Sequence, residues 1–267
     1  MRLIQKIKGD LWNLYVKTSS CIFDILRARR RNYYIRRILI YHNIDKNIVK
    51  RFRQHISYYV KNYKIVSLSE FIYILENHPD IEEDLITITF DDAYRSIYDY
   101  AAPILEEFGI KACIFVPVGF IEQKNIPTKY IRKNMKAEVA ELPIKWEELK
   151  ILVSKGYEIG SHSWNHIDFG SNRIDYEREL LKSKQMLQKK LGCQVKYFSF
   201  PFGGKSNITQ ESLDKAKKYG YTKAFSGIRK NIATTRPFLL PRTYINPYWE
   251  ENAIKYILYG YFDDNRG

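Results

Sequence analysis

Apolar runs and polar breaks alternate along this chain on a short beat. Five segments read as buried strands: 37–42 (RILIYH), 85–90 (LITITF), 111–116 (KACIFV), 157–162 (YEIGSH) and 195–200 (VKYFSF). Each has an apolar core and a polar or glycine-bearing exit. The stretch 222–225 (TKAF) is a weaker sixth. Helical patterns lie between them. Residues 50–62 and 69–76 carry widely spaced apolar positions after polar starts. In the second, Ser69 is the candidate cap, with Phe71, Ile72 and Leu75 facing in. From Ser96 onward Ile97, Ala101, Ile104, Leu105 and Phe108 fit the helical period, and Gly109 closes the segment. Pro103 inside it implies a kink. Residues 146–155 end at Gly156. Residues 173–191 put Leu180, Leu187 and Leu191 on one face and end at Gly192. Segments 206–219 and 250–261 read as two more helices, the latter using Ile254, Ile257, Leu258 and Tyr261.

Strand, helix, strand, helix is the rhythm of an α/β fold with a mostly parallel sheet. The number and spacing of strands suit a closed or partly closed barrel better than a nucleotide-binding sheet, and neither G-x-G-x-x-G nor a Walker loop is present. In such folds the C-terminal strand ends carry the chemistry. His42, Asp91, Asp92, His162 and Ser163 fall there. The charged, non-periodic stretch 119–145 is expected as a surface excursion on the same face.

The chain has 267 residues, 45% hydrophobic and 28% charged, enough for one large core or at most two domains. Three cysteines, Cys21, Cys113 and Cys193, lack ligand-like spacing, which argues against a disulfide scaffold or thiolate metal site. The formal net charge is +14. Most basic residues are scattered, and no nucleic-acid recognition motif accompanies them, so nucleic acid is not an expected partner. The exception is the front of the chain, where residues 1–37 hold ten Lys or Arg against Asp10 and Asp24, including 27–31 (RARRR). This segment has neither a clean signal peptide nor a run apolar enough to span a bilayer. Residues 1–36 therefore read as a basic amphipathic helical extension, able to lie on an anionic membrane surface or to pack on the domain formed by residues 37–267.

Two stretches carry chemistry. Asp91 and Asp92 stand side by side at the end of an apolar strand, and burying two like charges is costly unless a cation compensates. His162 and His166 are four apart just after another strand, a spacing that on a helical turn places both imidazoles on one side. Two imidazoles and one carboxylate are a common catalytic ligand set for a divalent metal. Asp91 itself reads either as a catalytic base or as the N-cap of the helix that follows.

These motifs, in this order, resemble the polysaccharide deacetylases that share the NodB-homology domain (carbohydrate esterase family 4). Thr89-Phe90-Asp91-Asp92 is similar to the first family motif, and His162-Ser163 with His166 to the second. Phe200-Pro201-Phe202-Gly203 resembles the third, and Tyr41-His42 ends the first strand as in the family's Tyr-His branch. The resemblance implies a distorted or incomplete (β/α) barrel, running from about residue 38 to 247. It also implies metal-dependent removal of acetyl groups from N-acetylated sugars. Carried over, Asp92, His162 and His166 bind one divalent ion, Zn first, with Co, Ni, Mn or Fe as alternatives, and Asp91 is the general base. A backbone N–H in the Pro201, Phe202, Gly203 turn supports the oxyanion, with Gly203 allowing close approach of a sugar. Trp164 and Tyr244 are candidate rings for stacking on it.

Three positions depart from the family pattern. Ser199 stands where an arginine usually positions the base, and Arg242 is the candidate substitute. No histidine follows His166, leaving His42 as the candidate general acid. Ala93 replaces a glycine. The expected substrate is an acetylated amino sugar in a surface glycan or its lipid- or nucleotide-linked precursor. The expected location is cytoplasmic, peripheral on the inner membrane face. An O-acetyl esterase, another amide hydrolase, or a non-catalytic glycan-binding relative are the alternatives on the same fold.

Overall fold

The computed structural model describes residues 6, 7, 10–14, 34–122, 142–234, 236–261, 263 and 264. Its centre is one curled, all-parallel sheet. Strand β1 (Arg36–Tyr41) pairs with β3 (Leu85–Phe90) over its whole length, Arg36 opposite Leu85 and Tyr41 opposite Phe90. The sheet continues through β4 (Cys113–Val116), β5 (Glu158–Ser161), β6 (Tyr197–Ser199), β7 (Lys223–Phe225) and β8 (Leu239–Leu240). On its other side β1 pairs with β9 (Thr243–Tyr244), and the short β2 (Lys64–Ile65) joins β3. The end strands β8 and β9 are separated in sequence only by Pro241 and Arg242, so the chain itself bridges the two edges of the curled sheet. This is the distorted, incomplete (β/α) barrel that the family resemblance implied, and it agrees with the partly closed barrel expected from the strand rhythm.

Alternation along each strand sorts side chains into two apolar clusters. Leu39, Tyr41, Ile86, Ile88, Phe90, Ile114, Val116, Ile159 and Phe198 pack with the surrounding helices. Ile38, Leu85, Cys113, Phe115, Tyr197, Phe225 and Leu240, of the opposite parity, pack with one another and with Leu68, Phe71, Ile72 and Leu75. Those four belong to helix α2 (Leu68–Asn77), which follows α1 (Val49–Asn62). Gly160 is required by this packing, because a Cβ there would meet the Phe115 ring at 2.3 Å. Toward the C-terminal strand ends the second parity turns polar: Thr89, Asp91, Ser199 and Arg242 are all buried.

Several local expectations are revised. The cap of α2 is Ser67, whose hydroxyl accepts the Glu70 N–H, not Ser69, which is bonded to Glu158. Pro103 does not interrupt a regular helix: a wide π-helical turn, Ile97–Ala101, hands over to α3 (Ala102–Glu107), and Pro103 sits at the start of that helix. A second π turn, Glu177–Lys182, precedes α6 (Ser183–Leu191), which ends at left-handed Gly192 as expected. The excursion after β4 begins with a short helix, α4 (Val118–Glu122); residues 123–141 lie outside the described residues. Helices α5 (Trp146–Ser154), α7 (Gln210–Lys218) and α8 (Glu251–Leu258) match the patterns read for them.

Most of segment 1–36 lies outside the described residues, but its helical residues 10–14 are placed. Asn13 is buried and bonds in two directions. Its Nδ2 donates to Tyr248 O (3.2 Å), and its Oδ1 accepts the Glu250 N–H (2.8 Å). Trp12 lies against Trp249 and Tyr256. The front segment is thereby attached to the turn between β9 and α8. No helix among the described residues is long and apolar enough to cross a membrane.

Candidate metal centre and active site

The two aspartates leave β3 through a sharp backbone reversal. The Asp91 N–H still donates to Tyr41 O (3.0 Å), completing the ladder, and then Asp92 and Ala93 both take left-handed backbone angles, φ 73° and 50°. Non-glycine residues avoid this region at a cost of roughly 1–2 kcal/mol each. The family's glycine at position 93 would carry no such cost. The reversal turns the neighbouring carboxylates to different partners.

Asp91 faces Arg242. The guanidinium forks onto it, Nη1 to Oδ1 at 2.8 Å and Nη2 to Oδ2 at 2.7 Å. Ser199 Oγ accepts from Nη2 (2.6 Å) and donates to Asp91 Oδ2 (3.3 Å), while Nε donates to Ser226 O. Arg242 is fully buried, its guanidinium over the Phe115 ring at 5.0 Å. Burial alone would push the Asp91 carboxyl up, but the Arg242 charge, then His162, the arginine's hydrogen bonds and His42 outweigh it and hold the group below its ordinary value. The helix-cap alternative for Asp91 does not hold: its carboxylate is engaged by Arg242 and Ser199, and the helix that follows starts only at Arg95. Arg242 thus makes the contact with Asp91 for which Ser199 is too short, and Ser199 completes it.

Asp92 faces the two histidines. His162 follows β5 and its N–H donates to Val116 O. Its Nδ1 lies 2.7 Å from Ser199 O, which can only accept, so Nδ1 carries the proton and Nε2 presents a bare lone pair. Burial, reinforced by the His166 charge, lowers His162 to about 4 against the pull of both aspartates, so the ring is neutral at ordinary pH. His166 does not reach the site on a helical turn, as its spacing suggested. Residues 163–166 form a loop in which Ser163 and His166 are left-handed (φ 67° and 52°), and Ser163 Oγ accepts the His166 N–H. The result is a face-to-edge pair of imidazoles with ring centres 4.8 Å apart.

One ligand atom from each of Asp92, His162 and His166 lies within 4.8 Å of the other two, and all three residues are buried. Asp92 Oδ1 is 3.1 Å from His166 Nε2 and 3.6 Å from His162 Nε2, yet it has no partner in hydrogen-bond geometry. A buried carboxylate oxygen left without such a bond is costly. Facing two imidazoles, one of them with a bare nitrogen, it fits a divalent cation. Burial would raise the Asp92 carboxyl; His166, with His42 and His162, holds it far below its ordinary value instead.

His42 follows β1 at the rim of this site. It is close enough for its charge to help lower both aspartates, and its Nδ1 is buried without a partner. Tyr244 packs edge-on to it at 5.7 Å and touches Trp249 in turn. Trp164 lies in the His166 loop, with Arg178 over its ring at 5.5 Å. Pro201 is buried, and the 38% exposed Phe202 places its ring 4.9 Å from His166. Gly203 is left-handed, φ 60°, and a Cβ there would strike Gly227 N at 2.4 Å, so the turn itself requires glycine. Its own N–H donates to Pro201 O, and Gly204 N–H to Asn207 Oδ1. All the residues singled out from sequence therefore gather at one end of the barrel. Thr89, read only as part of the first motif, accepts from Arg242; Ser226 and Glu179 were not singled out. Their signal is faint, a polar residue at an inward or otherwise apolar position.

Residues 78–224 match the polysaccharide deacetylase family profile, more than half of the chain. The chain belongs to this family. Among curated relatives, the Bacillus subtilis protein YxkH is 27% identical over 191 residues, 69% of this chain and 61% of that one. The chain thus matches less than two thirds of that relative's length. The poly-beta-1,6-N-acetyl-D-glucosamine N-deacetylase of Staphylococcus aureus is 22% identical over 260 residues, 90% of this chain and 83% of that one. Among solved structures, the Streptococcus pyogenes deacetylase PplD in complex with acetate superposes with a TM-score of 0.65 at 20% identity, covering 82% of this chain and 96% of that chain. That likeness is one of fold.

Proposed function

We propose that this deacetylase-family protein hydrolyses the acetamide of an N-acetylated amino sugar, releasing acetate, with a divalent ion, Zn first, held by Asp92, His162 and His166. One observation carries the reading. An unbonded buried Asp92 oxygen and a bare imidazole nitrogen converge beside a second carboxylate that an arginine keeps ionised. Asp92, His162 and His166 would hold a divalent cation there, which would supply Lewis acidity toward an acetyl carbonyl and a water.

The remaining work falls to side chains and backbone. Asp91 takes the proton from the attacking water. Arg242 and Ser199 fix both its oxygens, so the base is ionised and aimed before substrate arrives. Attack on the carbonyl carbon moves charge onto its oxygen. A backbone N–H of the turn that follows Pro201 is the donor we assign to that oxygen. The C–N bond then breaks, and His42 supplies the proton that the leaving amine needs. The unpartnered Nδ1 and the position at the rim support that role. The Tyr41-His42 strand end supports placing the chain in the Tyr-His branch of the family. The curated S. aureus relative, named for an N-acetylated glucosamine polymer, supports a sugar amide as substrate.

We also place the protein on the inner membrane face, acting on a lipid-linked intermediate. Ile7, Leu11 and Leu14 have the spacing of one helical face and are exposed, while Trp12 and Asn13 attach the stretch 10–14 near the site rim. The basic residues of segment 1–36 complement an anionic lipid surface. Acetate release from acetylated chito-oligomers and from lipid-linked acetylated sugars, with and without chelator, tests the activity. Chelator-sensitive release is expected. Release from O-acetyl esters alone, or release indifferent to chelator, overturns it.

A further inference from the structure

The loop that carries His166 is held by a residue outside the reacting groups. Residues 163–166 contain two left-handed non-glycine positions, so the loop does not hold its shape by local preference. Its backbone groups are met from two sides. The carbonyls of Ser163 and Trp164 accept the N–H groups of Val118 and Gly119, at 3.2 and 2.7 Å, from the first turn of α4. Its amides turn the other way, to Glu179. Glu179 Oε2 accepts the N–H groups of Trp164 (3.0 Å) and Asn165 (2.8 Å), and Oε1 accepts Asn165 Nδ2 (2.7 Å). Glu179 is 3% exposed and lies in the π turn Glu177–Lys182, which replaces regular helix there.

We propose that Glu179 is a positioning residue for the metal site, acting through the 163–166 backbone to set where His166 meets Asp92. The proposal rests on the reading of Asp92, His162 and His166 as metal ligands. The acceptor pattern makes a sharp demand. Three donors converge on two oxygens, so an amide at this position turns an NH₂ group toward at least one N–H whichever way it is flipped. The loop then relaxes out of its strained shape, and His166 moves relative to its two partners. Groups of this kind change metal affinity by about 10–100-fold when altered.

Zn²⁺ affinity of the full chain, by competition with a chromogenic chelator, tests this. Glu179→Gln is expected to weaken binding about 10–100-fold. Asn165→Ala, which removes one of the three bonds and keeps the carboxylate, is expected to weaken it less, and it carries the test if Glu179→Gln does not fold. Leu187→Ala, in the core face of α6, is expected to lower the unfolding midpoint while leaving affinity unchanged. Equal affinity of Glu179→Gln and wild type overturns the proposal. So does Leu187→Ala weakening Zn²⁺ binding as much as Glu179→Gln. If Glu179→Gln does not fold, wild-type affinity in Asn165→Ala overturns it too. Absence of stoichiometric Zn²⁺ binding in the wild type is a different failure, which removes the metal reading itself.

Discussion

At the scale of single residues, the account turns on two adjacent aspartates with different neighbours. Asp91 is the base in this reading and Asp92 a ligand, so Asp91→Asn should keep metal content and lose acetate release by about 10²–10⁴-fold. A variant retaining full turnover removes Asp91 from the mechanism. Arg242 supports the base from a fully buried position, and removing one partner of a buried ion pair strands the other. Arg242→Met should therefore cost about 3–5 kcal/mol in urea unfolding, together with turnover. Unchanged stability would show that the pair is replaceable by packing. The aspartates and the histidine pair were legible because each motif is contiguous and follows an apolar run. The Asp91–Arg242 contact spans 151 positions, and only the family resemblance suggested it. Glu179 was not legible, because in sequence it is one acid among several in a charged helical stretch, and its burial arises only when the 163–166 loop folds over it.

At the scale of elements, the buried strands were readable because strands covered on both faces are near-continuously apolar. Strands β2, β8 and β9, two residues each, are too short to show any period, so the closing edge of the barrel was invisible. The 163–166 loop was misread as a helical turn because a spacing of four fits both. Helix α1 offers a test of element docking. Its His55 is buried, Nε2 donating to Trp249 O (2.7 Å) and Nδ1 of the neutral ring accepting from Tyr41 OH (2.9 Å), with Tyr59 and Arg51 nearby. Burial lowers His55 to about 4, against the bond to Trp249 O. As pH falls below the ordinary histidine value, the unfolded chain takes up this proton first. Stability is then lost progressively between about 6.5 and 4, by about 2 kcal/mol from pH 7 to pH 5. His55→Gln should flatten the urea-midpoint profile over that window by that amount, while His162 keeps its own share in both proteins. An unchanged slope contradicts the assignment.

At the scale of the whole molecule, a net charge of +14 and an apolar stripe at the front combine into an expected surface behaviour. Full-length protein should co-sediment with vesicles containing phosphatidylglycerol, more weakly with phosphatidylcholine alone, and release in high salt. Leu11→Glu with Leu14→Glu should abolish co-sedimentation yet leave activity on soluble acetylated oligomers intact. Binding that ignores the double substitution or the lipid charge rejects the membrane placement without touching the chemistry. The barrel class was legible from strand rhythm and the missing nucleotide motifs, whereas attachment of the front segment through Trp12 and Asn13 left no pattern in sequence. What unites these scales is the cation that the barrel rim is built to hold. Calorimetric titration of metal-stripped protein with Zn²⁺ tests it most directly. One ion per chain, retained in Asp91→Asn and lost in His166→Ala, is the predicted result; no stoichiometric binding, or binding indifferent to His166, contradicts the account.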